Sequence, residues 1–123
     1  MLFRSLKPDG SVLIDVYSLN AFNQREEAET YEHSRHDGFW SPENYYCFQS
    51  TFKYDEEKVV LDKYTIIENE RTRIIYNWLQ YFSEDLLRKE FAENGFKVEG
   101  FYSDVTGTTT SPESLEIVII AKK

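Results

Sequence analysis

Leu6-Lys7-Pro8-Asp9-Gly10-Ser11-Val12-Leu13-Ile14-Asp15-Val16-Tyr17 is the stretch that decides the fold. Proline fixes its own φ and opens a turn; Asp-Gly after it supplies residues that tolerate positive φ. The run that follows, Val12, Leu13 and Ile14, is continuously apolar rather than alternating. That is the pattern of a strand buried on both faces, as in a sheet covered by helices on each side. Far along the chain the same class of pattern returns. Ser83 is a good N-cap, Glu84 and Asp85 suit the first turn of a helix, and Leu86, Leu87 and Phe91 fall on one face. Gly95 suits the C′ position, with Phe96 closing the cap. Residues 97–105 then read as a strand, 106–112 as a Thr-rich loop, and 115–121 as a strongly apolar final strand. Strand, helix, strand, strand is an α/β order.

The segment between these parts reads differently. Residues 20–37 are polar and acidic, with helical propensity, and Phe39-Trp40-Ser41-Pro42 is a loop. Three β-type runs follow at 45–54, 58–68 and 72–82, broken by Asp55-Glu56-Glu57 and Asn69-Glu70-Arg71. Polar breaks this short predict an antiparallel three-stranded meander. Its strands are apolar on both sides. On the third, Ile74, Tyr76, Trp78 and Phe82 share one face, and Ile75, Leu79 and Tyr81 the other. One face can pack on the domain, with Trp78 buried; the other needs a cover, whether substrate, lid or partner subunit.

Composition narrows the function. The chain has 123 residues, one domain's worth, and its aromatic fraction of 16% is too high for a disordered tail. Fourteen basic against 22 acidic residues give a net charge of −8, with no basic run. That disfavours nucleic acid and anionic membrane surfaces as partners. No stretch approaches the ~18 apolar residues of a membrane span, and the start carries no signal-peptide core. A single cysteine, Cys47, excludes an internal disulfide framework, so a cytoplasmic setting is expected. In a strand, a lone cysteine reads as a small buried hydrophobe.

The residues from Leu6 to Asp15 resemble the L-K-P-G-G-x-L-h-h-D segment of class I S-adenosylmethionine-dependent methyltransferases, with Asp9 in place of the family's Gly. Phe82-Ser83, Leu87, Phe91, Gly95-Phe96 and Val98 resemble that family's helix and A-G-F signature before strand six. The last run, ending Ala121-Lys122-Lys123, resembles strand seven. The resemblance implies the C-terminal portion of a Rossmann-like sheet, strands five, seven and six, with the last strand between the other two. It also implies a three-stranded antiparallel insert of the kind common in small-molecule members. Residues 1–123 then form a single partial methyltransferase domain, and residues 19–82 are its insert. The family's Gly-rich cofactor loop has no counterpart: glycines stand at 10, 38, 95, 100 and 107, no two of them two apart. The chain is therefore expected to be the C-terminal, substrate-side half of a methyltransferase acting on a small molecule. S-adenosylmethionine is the implied cofactor of the intact enzyme. The competing reading is a non-catalytic, aromatic-rich ligand-binding or dimerisation module.

Asp15, Tyr17 and Ser18 follow the carboxyl end of the first strand, the edge where open α/β sheets place ligands. In the resembling family this segment faces the substrate; the bland alternative is that Asp15 caps and Tyr17 packs. Phe39, Trp40, Tyr45 and Tyr46 form an aromatic cluster suited to walling a substrate pocket. His33 and His36 are candidate general bases. On a helix, Glu29 and His33, or Glu32 and His36, would be neighbours at i,i+4. With Asp37 they form the one candidate metal cluster, but a solvated acidic face is the better reading, and no metal is expected. Self-association is expected, because residues 12–16 would form a strand edge with unpaired backbone groups once strand four is missing. Pairing of this edge across a two-fold axis, or packing of two insert sheets, would cover apolar surface.

Overall fold

The computed structural model describes residues 2–123, with side chains from residue 4 onward. In chain order the elements are α1 (Leu2–Ser5), β1 (Ser11–Ser18), α2 (Leu19–Gln24), β2 (Ala28–Ser34), β3 (Tyr45–Tyr54), β4 (Val59–Glu68), β5 (Thr72–Phe82), α3 (Glu84–Glu93), β6 (Lys97–Tyr102) and β7 (Glu116–Lys122). They divide into two compact units, Met1–Gln24 with Tyr81–Lys123, and Arg25–Gln80. The fold is a sheet-rich α/β fold.

In the first unit, Gly10 N donates to Lys7 O at 2.9 Å and Asp9 has φ +59°. The Pro-Asp turn thus forms as read, and Asp9 accepts the left-handed conformation for which glycine is the usual choice. β1 runs antiparallel to β7 from Ser11↔Lys122 to Tyr17↔Glu116, and β7 pairs antiparallel with β6. β7 therefore lies between β1 and β6, the order that the resemblance implies. On its other side β1 pairs only at Tyr17↔Tyr81 and Ser18↔Phe82, parallel to the end of β5. The expected open edge is thus covered at its carboxyl end.

β1 is not buried on both faces. Ile14 and Val16 pack against Leu87, Ile117 and Ile119, whereas Leu13 and Tyr17 are about half exposed. The helix α3 covers the face of Ile14 and Val16. That helix is bounded as its sequence dictates. Ser83 Oγ accepts from Leu86 N at 3.2 Å. At the other end Gly95 (φ +83°) donates to Ala92 O, and Phe96 N reaches Phe91 O at 3.0 Å, with the two rings in contact. This double bond pattern satisfies carbonyls that the helix end would leave orphaned. Leu86 departs from the reading: it is exposed, and Leu87 carries the burial. Replacing Ser83 by Ala is expected to cost about 1 kcal/mol, the usual value of a lost N-cap, measured by urea unfolding.

β6 ends at Tyr102, not at 105 as expected. Asp104 Oδ1 accepts from Thr106 N, Thr106 Oγ1 and Thr108 N, which turns the chain out of the strand. Hydrogen bonds from Thr106 and then Thr108 lower the Asp104 carboxyl to about 2.

The second unit is an antiparallel sheet in the order β2-β3-β4-β5. Three of its strands follow the meander read in the sequence. The fourth, β2, replaces the expected helix over residues 20–37, of which only the short α2 is helical. Strand alternation gives the sheet two faces. The first holds Tyr45, Cys47 and Ile66, all buried, with Trp40, Tyr64 and Ile75 packed on them. The second holds Leu61, buried, beneath a layer of half-exposed side chains. β3 gives this layer Tyr46, Phe48, Phe52 and Tyr54; β5 gives Ile74, Tyr76 and Trp78; Tyr31 and Ile67 complete it. Trp78 is 57% exposed, contrary to the expectation that it is buried. Period two locates the face but does not say that anything covers it.

Candidate functional site

A groove of about 360 Å³ opens on the first face of the Arg25–Gln80 unit. Tyr31, Glu32, Phe39, Trp40, Cys47 and Tyr64 line it, with Thr30 and Gln49. Trp40 is its fixed wall. Arg73 Nη2 donates to Trp40 O at 2.8 Å, and Trp40 N to Tyr45 Oη at 3.5 Å. Its ring lies 4.9 Å from Tyr64 and meets Phe39 edge-on at 4.8 Å. The loop carrying it is pinned by Asp37 N to Pro42 O and Gly38 N to Ser41 O. Gly38 is required by packing: a Cβ there would collide with the Tyr45 ring and Ser34 Oγ.

Glu32 is the carboxylate of the groove, and Tyr45 Oη donates to its Oε1 at 3.0 Å. Burial pushes the Cys47 thiol up and the Glu32 charge adds to it, outweighing the hydrogen bond from Trp40. The thiol is held protonated, which suits a packing role and not a nucleophile. Burial, with the charge of Asp62, likewise raises the Tyr64 phenol.

Asp62 underpins the same face. It is 3% exposed and accepts from Arg25 Nη2 at 2.6 and 2.8 Å, Thr51 Oγ1 at 2.7 Å and Gln49 Nε2 at 3.2 Å. Burial opposes its ionisation, but the Arg25, Thr51 and Gln49 hydrogen bonds win, and its carboxyl lies below the ordinary range. Lys53 Nζ ties Arg25 O into the cluster at 2.8 Å.

The site residues read from the sequence divide among separate places. Trp40 lines the groove and Tyr45 supports it, but Tyr46 belongs to the opposite face, one residue on in the strand. Ser18 is buried and committed locally: its Oγ donates to Ser114 O at 2.6 Å and accepts from Ala21 N at 3.2 Å. Tyr17 stacks on Tyr81 at 5.5 Å, and Asp15 is exposed on β1. Ser18 also borders a smaller recess of about 190 Å³ with Asn20, Ser83 and Ser114.

The two histidines do not share a helix face, because β2 is a strand. His33 stacks on Tyr46 at 4.2 Å, and its Nε2 lies 2.7 Å from Asn44 Oδ1. His36 is exposed beyond the strand, its Nδ1 3.6 Å from Asp37 Oδ2. Neither lines the groove. Glu29 and His33 occupy one face of β2 and Glu32 the other, so the candidate metal cluster does not converge; among the described residues no group of three or more such side chains does.

Tyr64 and the Arg25–Asp62 pair had no role in the sequence reading, and Glu32 figured there only in the candidate metal cluster. A signal exists for Asp62, a lone acid in the apolar run Val59-Val60-Leu61-Asp62. None points from Arg25 to it, 37 residues away.

No protein-family model matches the sequence, and no curated protein matches it. The fold does match solved structures. The CcbJ methyltransferase from Streptomyces caelestis aligns over 96% of this chain and 45% of its own, with TM-score 0.64 and 11% identity. A S-adenosylmethionine-dependent methyltransferase from Clostridium acetobutylicum aligns over 98% and 47%, with TM-score 0.73 and 10% identity. CalS10, an amino pentose methyltransferase from Micromonospora echinaspora solved with S-adenosylmethionine bound, aligns over 98% and 47%, with TM-score 0.51 and 13% identity. The chain spans about half the length of the structures it matches. Its fold is that of half of an S-adenosylmethionine-dependent methyltransferase.

A Gly-rich donor loop does not fit the glycines of the described residues. Gly10 serves a turn, Gly38 the Trp40 loop, Gly95 a helix end, Gly100 lies in β6 and Gly107 in a turn. None joins a strand to a helix N-terminus, the place of a Gly-rich cofactor loop.

Proposed function

We propose that this chain is the C-terminal, substrate-side part of a methyltransferase that takes its methyl group from S-adenosylmethionine and acts on a small molecule. In this reading β1, β7 and β6 are the family's strands five, seven and six, and the antiparallel sheet is the insert. The single observation that carries it is a β7 running antiparallel between β1 and β6, in a fold that aligns with methyltransferases over nearly its whole length.

Methyl transfer is a displacement that depends on holding donor and acceptor in line, so positioning surfaces matter more than a reactive triad. Each unit offers one. In the first, Asp15 and Tyr17 stand near the carboxyl end of β1, and Ser18 sets the backbone there. In the second, Trp40, supported by Tyr45, forms an aromatic wall beside Glu32. Aromatic faces and one carboxylate suit an acceptor bearing an amine or a hydroxyl. An amino pentose is named as the substrate of one structural neighbour. Glu32 is also better placed than His33 or His36 to take the proton that such an acceptor must lose, because it lines the groove and they do not. A cytoplasmic setting and self-association complete the proposal.

A second reading, an aromatic-rich binding or dimerisation module without catalysis, draws support from the exposed layer of the insert sheet. The coding DNA discriminates. The methyltransferase reading expects an in-frame strand followed by G-x-G-x-G upstream of Met1. A promoter and ribosome-binding site directly before Met1 would favour the module instead.

A further inference from the structure

We propose that the second face of the four-stranded sheet is a dimer interface, and that its occupant is the same face of a second copy of this chain. The size of the face is the first argument. Nine large side chains, about half exposed, stand on it. At about 150–250 Å² for a buried aromatic, they offer on the order of 800 Å². The largest apolar patch of a typical monomer is about 300–600 Å². About 800 Å² per partner is what a stable protein interface buries.

Charge is the second argument. The chain carries a net −8. Among the strand residues of this face, charge is confined to Glu29 and Lys63, with His33 at the margin. Cationic or anionic partners find little to complement here. A second copy meets a neutral apolar surface like its own, while its acidic charge lies elsewhere. The third argument is order. Tyr54 packs on Trp78 at 5.7 Å, Tyr31 on Phe48 at 5.9 Å, and His33 stacks on Tyr46. These ring contacts restrict the side chains before association, so less rotamer freedom remains to be lost. Sheets packed face to face about 10 Å apart bury such a layer on both sides.

This inference deepens the self-association proposed above by choosing the sheet face over the β1 edge. It is independent of methyl transfer, which donor binding tests, so either can fail alone. The experiment is sedimentation equilibrium of the 123-residue chain at roughly 1–100 µM, at or above the micromolar upper end of dissociation constants for interfaces of this size. A dimer of twice 14.6 kDa is expected. The double variant Ile74→Glu, Trp78→Glu should sediment as a monomer with an unchanged far-UV spectrum. A monomeric parent, or a dimer that persists in the folded double variant, overturns the proposal. Should the double variant unfold, Trp40→Phe decides the matter, because Trp78 is then the sole tryptophan. Its emission should shift to shorter wavelength with rising concentration as the face is covered; constant, solvent-exposed emission overturns the proposal.

Discussion

Replacing Asp62 by Ala is expected to destabilise the Arg25–Gln80 unit by about 3–5 kcal/mol, the cost of removing one partner of a buried ion pair. The carboxylate is nearly inaccessible and takes four hydrogen bonds from three side chains. Without it, Thr51 and Gln49 lose their acceptor, and Arg25 loses its ion-pair partner. Both tryptophans lie in this unit, so urea unfolding followed by their fluorescence reads the effect directly. The same group sets a pH dependence. Its folded pKa lies below the unfolded value of about 3.9, so its contribution is fully present above that value. It is lost as pH falls through the folded pKa. Asp62→Asn should therefore be less stable at neutral pH and lose less on acidification than the parent. An Asn variant with the parent's acid limb would assign that limb to other carboxylates, such as Glu68 and Asp104, which are also held low.

Ile119→Ala is expected to cost about 2–5 kcal/mol in the other unit. Ile119 is fully buried in β7, between Ile14 of β1 and Phe101 of β6, and packs with Leu87 of α3. A cavity there touches the core residues of β1, β6 and α3, and a close-packed interior relaxes only partly around it. Leu86→Ala, one helix position from Leu87 but exposed, should cost well under about 1 kcal/mol. Amide exchange of the β7 backbone distinguishes the two, because it reports opening of this unit alone. Equal effects for the two substitutions would contradict the assignment of the core.

Much of the fold is legible where local chemistry and packing agree. Ser83 and Gly95 mark α3 because a hydroxyl acceptor and a residue free to adopt positive φ are what helix ends need. The three meander strands are legible from β-branched and aromatic content broken by short polar turns. β2 is not. Its residues, Ala28-Glu29-Thr30-Tyr31-Glu32-His33-Ser34, are nearly all exposed, so no apolar period marks them. Its strand state comes from seven paired residues on β3, a tertiary effect that overrides its helical propensity. Trp78 shows a related limit: alternation assigns a side chain to a face, while coverage depends on what packs there.

The candidate site was legible in its aromatic part and not in its polar part. Trp40 stands out as part of an aromatic cluster beside a Ser-Pro turn. That Tyr45 and Tyr46 face opposite ways follows from the two-residue period of a strand, yet sequence clustering placed them together. Glu32 enters the groove because β2 is a strand, and Asp62 meets Arg25 through the folding of β4. Neither follows from spacing along the chain.

Titration calorimetry with S-adenosylhomocysteine tests most directly whether this chain holds a donor site. The 123-residue chain is expected to show no binding at micromolar concentrations, whereas a polypeptide extended upstream through a strand and its G-x-G-x-G loop should bind. Micromolar binding to the 123-residue chain itself, or none to the extended polypeptide, would contradict the assignment of this chain to the substrate side of a methyltransferase.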